Sequence, residues 1–224
     1  MLQDNYKQCQ SDHILFVKIA PDKNKSILIV SVDDIIITGD DLVEIKKLKT
    51  LLAKEFETKD LGTLRYFLGM EVARSREGIV INQRKYILYL HSETGMTNCK
   101  PSETPIEVNL KLSKYGNLVN KEHYQRLVRK LIYLSLTRPG IAFSVSIVSQ
   151  YMNDPREEHL ATVNRILRYL KMTPGNRLVF RKHEDITVKI FSDSSWAGEL
   201  TDRRSTTGYC SFVWGNLVTW RSKK

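Results

Sequence analysis

The sequence predicts an α+β chain, with antiparallel hairpins first, helices through the middle and strands again at the end. Three observations carry this prediction. Residues 27–32 and 35–38 form two β-branched and aliphatic runs on either side of one acidic pair, Asp33 and Asp34. Residues 124–170 place apolar side chains at helical spacing, interrupted by proline. Residues 178–221 return to short strand-type runs separated by turn residues.

Composition narrows the function classes. The 224 residues are 42% hydrophobic and 27% charged, the balance of a globular chain with enough apolar surface for a core. No apolar run approaches the roughly 20 residues of a membrane span, and the first twelve residues lack a secretory apolar stretch. An intracellular protein without a membrane partner is expected. The net charge of +10 and pI near 9.5 favour a polyanionic partner, nucleic acid before an anionic membrane. Cys9, Cys99 and Cys210 are far apart and lack metal-ligand spacing, so they read as reduced thiols.

Taken in order, residues 1–12 read as a frayed segment or as the tail of an element that begins earlier, and 13–19 as a strand that turns through 21–25 into the first hairpin. Two carboxylates at its tip repel each other and are costly to desolvate unless a proton or cation compensates them. A pair of Mg²⁺ ions is the usual compensator where phosphates are handled. A solvent-exposed turn also fits these residues, although Asp33-Asp34 lacks the glycine that two-residue hairpins favour. A helix follows, with Asp41 as N-cap and Glu44 three residues on. Leu42, Ile45, Leu48, Leu52 and Phe56 form its stripe, and Lys46, Lys47 and Lys49 lie off it, as on a solvated face.

Gly62 ends that connection. Residues 64–73 and 79–82 read as a second hairpin around Arg76-Glu77-Gly78, and 83–94 as a short helix stopped by Gly95. The stretch 96–120, rich in Pro, Asn, Ser and Lys, reads as a linker and the natural place to divide the chain. Three helices come next. The first buries Tyr124, Leu127, Val128, Leu131 and Leu134 and stops at Arg138-Pro139. The second carries Ile141, Val145, Val148 and Met152. The third takes Asp154 as N-cap, Pro155 at its first position and Glu157 to complete a capping box, with Leu160, Val163, Leu167 and Leu170 as its stripe. Arg126, Arg129 and Lys130 on the first of these helices, and Arg165, Arg168 and Lys171 on the third, lie off the stripes. A basic helical side suits a phosphate backbone and needs no base contacts, which makes these six the candidate nucleic-acid contacts. Strands at 178–181, 187–192, 208–213 and 217–221 end the chain.

Around Asp33 and Asp34 the chain resembles the YVDD box of reverse transcriptases of copia-type LTR retrotransposons. The similarity continues through Phe56-Glu57-Thr58-Lys59-Asp60-Leu61-Gly62, Tyr66-Phe67-Leu68-Gly69-Met70-Glu71-Val72, Thr137-Arg138-Pro139 and Arg168-Tyr169-Leu170-Lys171. Trp196-Ala197-Gly198 and Asp202-Arg203-Arg204-Ser205-Thr206 extend it to the last strands. Many blocks in one order make the resemblance specific.

The resemblance implies a partial polymerase palm (antiparallel sheet plus helix) over 1–95, a helical thumb or connection over 96–176, and truncated RNase H-like strands over 177–224. It assigns Asp33 and Asp34 to catalysis and Mg²⁺ binding, Asp193 to an incomplete RNase H-like metal site, and Phe67, Leu68 and Gly69 to a primer grip. The implied partners are an RNA/DNA template-primer and a dNTP. The third catalytic aspartate of the family is expected upstream of Met1. Ser31 stands where the family has tyrosine, Arg129 where it has glycine, Gly140 where it has aspartate, Met172 where it has glycine, and Ser195 where it has a second aspartate. The isolated chain is therefore expected to be inactive, and a non-catalytic basic nucleic-acid-binding remnant is the alternative.

Overall fold

A computed structural model describes residues 5–108, 110–184, 186–195 and 205–223. The chain forms two compact units, residues 1–67 and 68–224. The division falls earlier than the linker-like stretch at 96–120.

The first unit is a four-stranded antiparallel sheet with one helix. Its strands β1 (Lys7–Gln8), β2 (Leu15–Ile19), β3 (Lys25–Ser31) and β4 (Asp34–Gly39) pair in sequence order. Within the described residues 5–12 the chain is ordered against the sheet: β1 pairs Lys7 with Val17, and Tyr6 is buried. The helix α1 (Leu42–Glu55) starts as its capping signal dictates, with the Asp41 carboxylate accepting from the Glu44 amide at 2.9 Å. Leu48 and Leu52 pack with Leu28 and Tyr6 in a small core, whereas Leu42 and Phe56, assigned to the same stripe, are exposed. The first turn and the C-cap carry those two residues off the sheet-facing side. The short β5 (Tyr66–Phe67) closes this unit.

The second unit opens with the left-handed turn Leu68-Gly69 and continues into β6 (Met70–Ser75) and β7 (Gly78–Asn82). The turn divides what reads in sequence as one strand over 64–73. Four helices follow: α2 (Arg84–Glu93), α3 (Lys121–Ser135), α4 (Pro139–Ser149) and α5 (Glu157–Met172). Their buried faces merge into one core that includes Ile87, Leu90, Tyr124, Leu131, Val145, Ile166 and Leu170. At about 1.5–3 kcal/mol for each large side chain buried, this cluster is the main stabilising feature of the unit. Tyr124 places its hydroxyl in that core by donating to the Val148 carbonyl at 2.8 Å.

Two sequence readings of these helices need correction. Met152 lies beyond α4, packed against the core from the following turn. The N-cap of α5 is Arg156, two residues after Asp154. An isolated antiparallel bridge between Leu118 and Arg156 holds residue 156 extended, so the helix starts after it. The helix start is closed by the chain around it: the Arg156 amide donates to His159 Nδ1 at 2.9 Å, and the Glu157 amide donates to the Asn117 carbonyl at 3.1 Å.

Among the described residues the 96–120 stretch has no regular element, yet it is not a free linker. Leu112 is buried, and Glu158 accepts from the Ser113 amide. Arg165 pairs with Glu107 at 2.8 Å, and Lys171 donates to the Thr97 and Cys99 carbonyls at 2.7 and 2.8 Å.

The last strands divide between two sheets. β8 (Leu178–Arg181) joins β7 rather than the C-terminal strands it was grouped with, which gives the antiparallel order β6-β7-β8. The partner strand is about a hundred residues away in sequence, where local pattern carries no signal. Gly78 makes the pairing possible: at φ +147° its Cβ would lie 1.9 Å from the Phe180 carbonyl oxygen. A separate sheet holds β9 (Val188–Ser195), β10 (Thr206–Val213) and β11 (Asn216–Lys223) in the order β11-β10-β9. It is tied to the helices by Trp220 Nε1 donating to the Ser135 carbonyl at 2.9 Å and by Ser146 Oγ donating to the Ser222 carbonyl at 3.1 Å.

Candidate metal-bearing hairpin and nucleic-acid surface

The β3–β4 hairpin carries the acidic pair, but its tip is one residue earlier than the sequence suggests. Ser31 pairs with Asp34, so the two turn residues are Val32 and Asp33, and Asp34 is the first residue of β4. Val32 supplies the backbone reversal with φ 45°, a conformation in which a β-branched residue is strained. Its side chain is 96% exposed, so no burial offsets that strain.

Asp33 and Asp34 are both exposed, and neither carboxylate makes a hydrogen bond or ion pair among the described residues. Their oxygens are free, hard donors on a short hairpin. Mg²⁺ is typically bound by one or two carboxylates together with waters and substrate phosphates. One carboxylate in the turn and its neighbour at the start of β4, both without partners among the described residues, fit that donor set. Among the described residues no three His, Cys, Asp or Glu side chains gather into a metal site.

The other assigned residues are spread over the chain. Phe67 ends the first unit, while Leu68 and Gly69 begin the second with φ of 48° and 75°. The Tyr133 hydroxyl donates to the Leu68 carbonyl, and a Cβ on Gly69 would meet that hydroxyl at 3.0 Å. Tyr133 is braced in turn by an edge-on contact with Tyr86, with ring centroids 5.1 Å apart. Sequence periodicity gave no hint of this anchor, because Tyr133 lies off the buried stripe of α3. Asp193 sits in β9 opposite Gly208, exposed, with its carboxylate accepting from the Ser194 amide at 2.9 Å. Trp196-Ala197-Gly198 and Asp202-Arg203-Arg204 lie outside the described residues.

The six basic candidates separate into two kinds. Lys130 pairs with Glu93 and lies 5.7 Å from the Tyr89 ring centroid. Arg165 and Lys171 are committed to the 96–120 stretch by the contacts given above, and Arg168 is half-buried. Arg126 and Arg129 are exposed, with Arg126 Nη2 3.2 Å from His123 Nδ1. Cys9, Cys99 and Cys210 are half-buried free thiols. Among the described residues no helix is long and apolar enough to cross a membrane.

Residues 1–108 match the family described as reverse transcriptase (RNA-dependent DNA polymerase). The chain belongs to that family, in the branch of copia-type retrotransposon Pol polyproteins. It is 40% identical over 218 residues to the retrovirus-related Pol polyprotein from transposon RE1 of Arabidopsis thaliana, covering 96% of this chain and 15% of that protein. It is 37% identical over 235 residues to the Pol polyprotein from transposon TNT 1-94 of Nicotiana tabacum, covering 100% of this chain and 18% of that one. An uncharacterized mitochondrial protein of Arabidopsis thaliana is 36% identical over 198 residues, 88% of this chain and 82% of its own length. The chain thus spans about 15% of the length of the Arabidopsis thaliana transposon polyproteins it matches. No solved structure matches it.

Proposed function

We propose that the hairpin bearing Asp33 and Asp34 is the metal-binding edge of a polymerase palm, and that within a longer Pol polyprotein it serves RNA-directed DNA synthesis. The observation that carries this reading is the pair of exposed, unencumbered carboxylates on adjacent residues, Asp33 in the turn and Asp34 at the start of β4, inside the segment that matches the reverse transcriptase family. Bound Mg²⁺ would supply the Lewis acidity that phosphoryl transfer needs at both the attacking and the leaving oxygen. Asp33 and Asp34 would hold it, and the β3–β4 ladder fixes where they stand. On the same reading residues 1–95 are palm, 96–176 thumb or connection, and 177–224 the opening strands of an RNase H-like domain bearing Asp193. Leu68 and Gly69, anchored by Tyr133, belong to a primer-gripping turn next to Phe67. Of the six basic candidates, the exposed Arg126 and Arg129 are the two that would meet a template-primer backbone.

The test is primer extension on an RNA template with Mg²⁺ and dNTPs. This chain alone should give no product. A chimera of the transposon RE1 polyprotein, with its matching 218 residues replaced by this chain, should extend the primer. Asp33→Asn and Asp34→Asn should each slow the chimera by at least about a hundredfold. Unchanged extension in either variant would remove the carboxylates from the chemistry. If the chimera is inactive but this chain binds an RNA–DNA duplex with a steep salt dependence, the alternative of a non-catalytic binding remnant takes its place.

A further inference from the structure

A cleft of about 540 Å³ opens in the second unit between the start of α4, the end of α5 and the chain leading into β8. Its polar lining comes from Thr137, Arg138, Tyr169, Asn176 and Arg177, and Gly140 also lines it; among the described residues no carboxylate does. The reverse transcriptase reading gives this cleft no role.

Three features of the cleft agree. The first is an uncompensated helix start. α4 has no acidic residue in its first turn and no side-chain cap, Pro139 has no N–H, and the Gly140 N–H makes no hydrogen bond among the described residues. Such a helix end attracts an anion through its free amides and its dipole. The second is Arg138, which is only 5% exposed. Its Nη1 and Nη2 donate to the Thr173 and Pro174 carbonyls at 2.6 and 2.7 Å, but its Nε finds no acceptor among the described residues. Two carbonyl dipoles leave a buried guanidinium without a counter-charge, and burial lowers its pKa accordingly. Behind Thr137, the fully buried Gln83 accepts the Thr137 hydroxyl at 2.6 Å and leaves its own Nε2 unpartnered. Turning that amide over would free the Thr137 hydroxyl to donate into the cleft. The third feature is room: with no side chain on Gly140, a Cβ there would meet only the Tyr169 hydroxyl, at 3.4 Å.

We propose that this cleft is a phosphate-binding site, in which the Gly140 amide, Arg138 and the exposed Arg177 hold the oxygens of one phosphate group. The site is independent of the Asp33–Asp34 reading and requires no divalent metal. Its ligand is either a small phosphate compound or a phosphodiester of a nucleic-acid strand, which present the same oxygens to the same donors.

The test is an amide and arginine Nε–H NMR titration of the full chain in EDTA, so failure of the metal reading leaves it untouched. Inorganic phosphate is added at constant ionic strength against chloride. The signals of Gly140, Ile141 and Arg138 Nε–H should move and saturate. Arg177→Gln should weaken binding by roughly threefold, as expected for an exposed charge. Gly140→Asp puts a carboxylate at the helix start and in the phosphate's place, so it should raise the melting temperature and weaken phosphate binding by at least about tenfold. A single-stranded DNA oligonucleotide without terminal phosphates separates the sources. If it moves the same signals in competition with inorganic phosphate, the site takes a strand; if it leaves them unmoved, the site takes a small phosphate compound. Shifts that follow chloride equally, fail to saturate, or survive both substitutions overturn the proposal.

Discussion

Replacing His159 by leucine tests whether this ring pins residues 113–117 onto α5. The imidazole is fully buried and stacks on Tyr151 with centroids 3.8 Å apart. Its Nδ1 accepts from the Arg156 amide at 2.9 Å, and its Nε2 lies 2.9 Å from the Ser113 carbonyl oxygen. These partners demand a neutral ring protonated on Nε2, because Nδ1 must keep its lone pair for an N–H while Nε2 donates. Leucine fills most of the volume and leaves one amide and one carbonyl, both part-buried, without partners. A fully buried orphan costs about 1–3 kcal/mol, so two part-buried ones should cost about 1–4 kcal/mol together. The ring also makes stability depend on pH. Burial, opposed by the hydrogen bond to Ser113, holds the His159 pKa below its ordinary 6.5. On acidification the unfolded chain therefore takes up this proton first. The stabilisation is complete above about pH 6.5 and is lost as pH falls through the lower folded value, at about 1.4 kcal/mol per unit of displacement. Urea unfolding at about pH 8 and about pH 5.5, followed by circular dichroism, reads both effects. The native chain should lose more stability between these conditions than His159→Leu, and the difference isolates this ring from the other four histidines. Equal pH dependence in the two proteins, or a cost below about 1 kcal/mol at the higher pH, would refute the reasoning.

Other substitutions probe the backbone. Gly78→Ala should cost more than about 2 kcal/mol, because φ is +147° and the new methyl would lie 1.9 Å from the Phe180 carbonyl oxygen; faster amide exchange along β7 and β8 checks it. Val32→Gly should stabilise the first unit by about 1 kcal/mol by relieving the left-handed turn, read as a higher thermal midpoint. Asp41→Ala removes the acceptor for the Glu44 amide and should cost about 1 kcal/mol, read from the helical signal of α1 under urea.

The readable parts of this chain are those held by neighbours in sequence. The stripe Tyr124, Leu127, Val128, Leu131, Leu134 is fully buried because a 3.6-residue period alone decides which face of α3 turns inward. Asp41 caps α1 as its spacing to Glu44 requires. The β3–β4 hairpin was legible from its flanking runs, and only its tip shifted by a residue. What escaped reading depends on partners far along the chain. The start of α5 was displaced by the bridge to Leu118, β8 went to β7 because Gly78 admits it, and the 96–120 stretch was fastened by Arg165, Lys171 and His159. The cleft beside α4 escaped as well. Arg138-Pro139 reads as a helix stop in sequence, and only folding brings Tyr169 and Arg177 beside it.

The fastening of the 96–120 stretch changes how ionic strength should act. Arg165–Glu107 is a partly solvated ion pair, which added salt screens as it screens any polyanion at the surface. A salt series therefore acts on the molecule from within as well as from without. Loosening of its own loop will overlap with release of a bound strand, and the two separate only when unfolding and binding are followed in the same buffers.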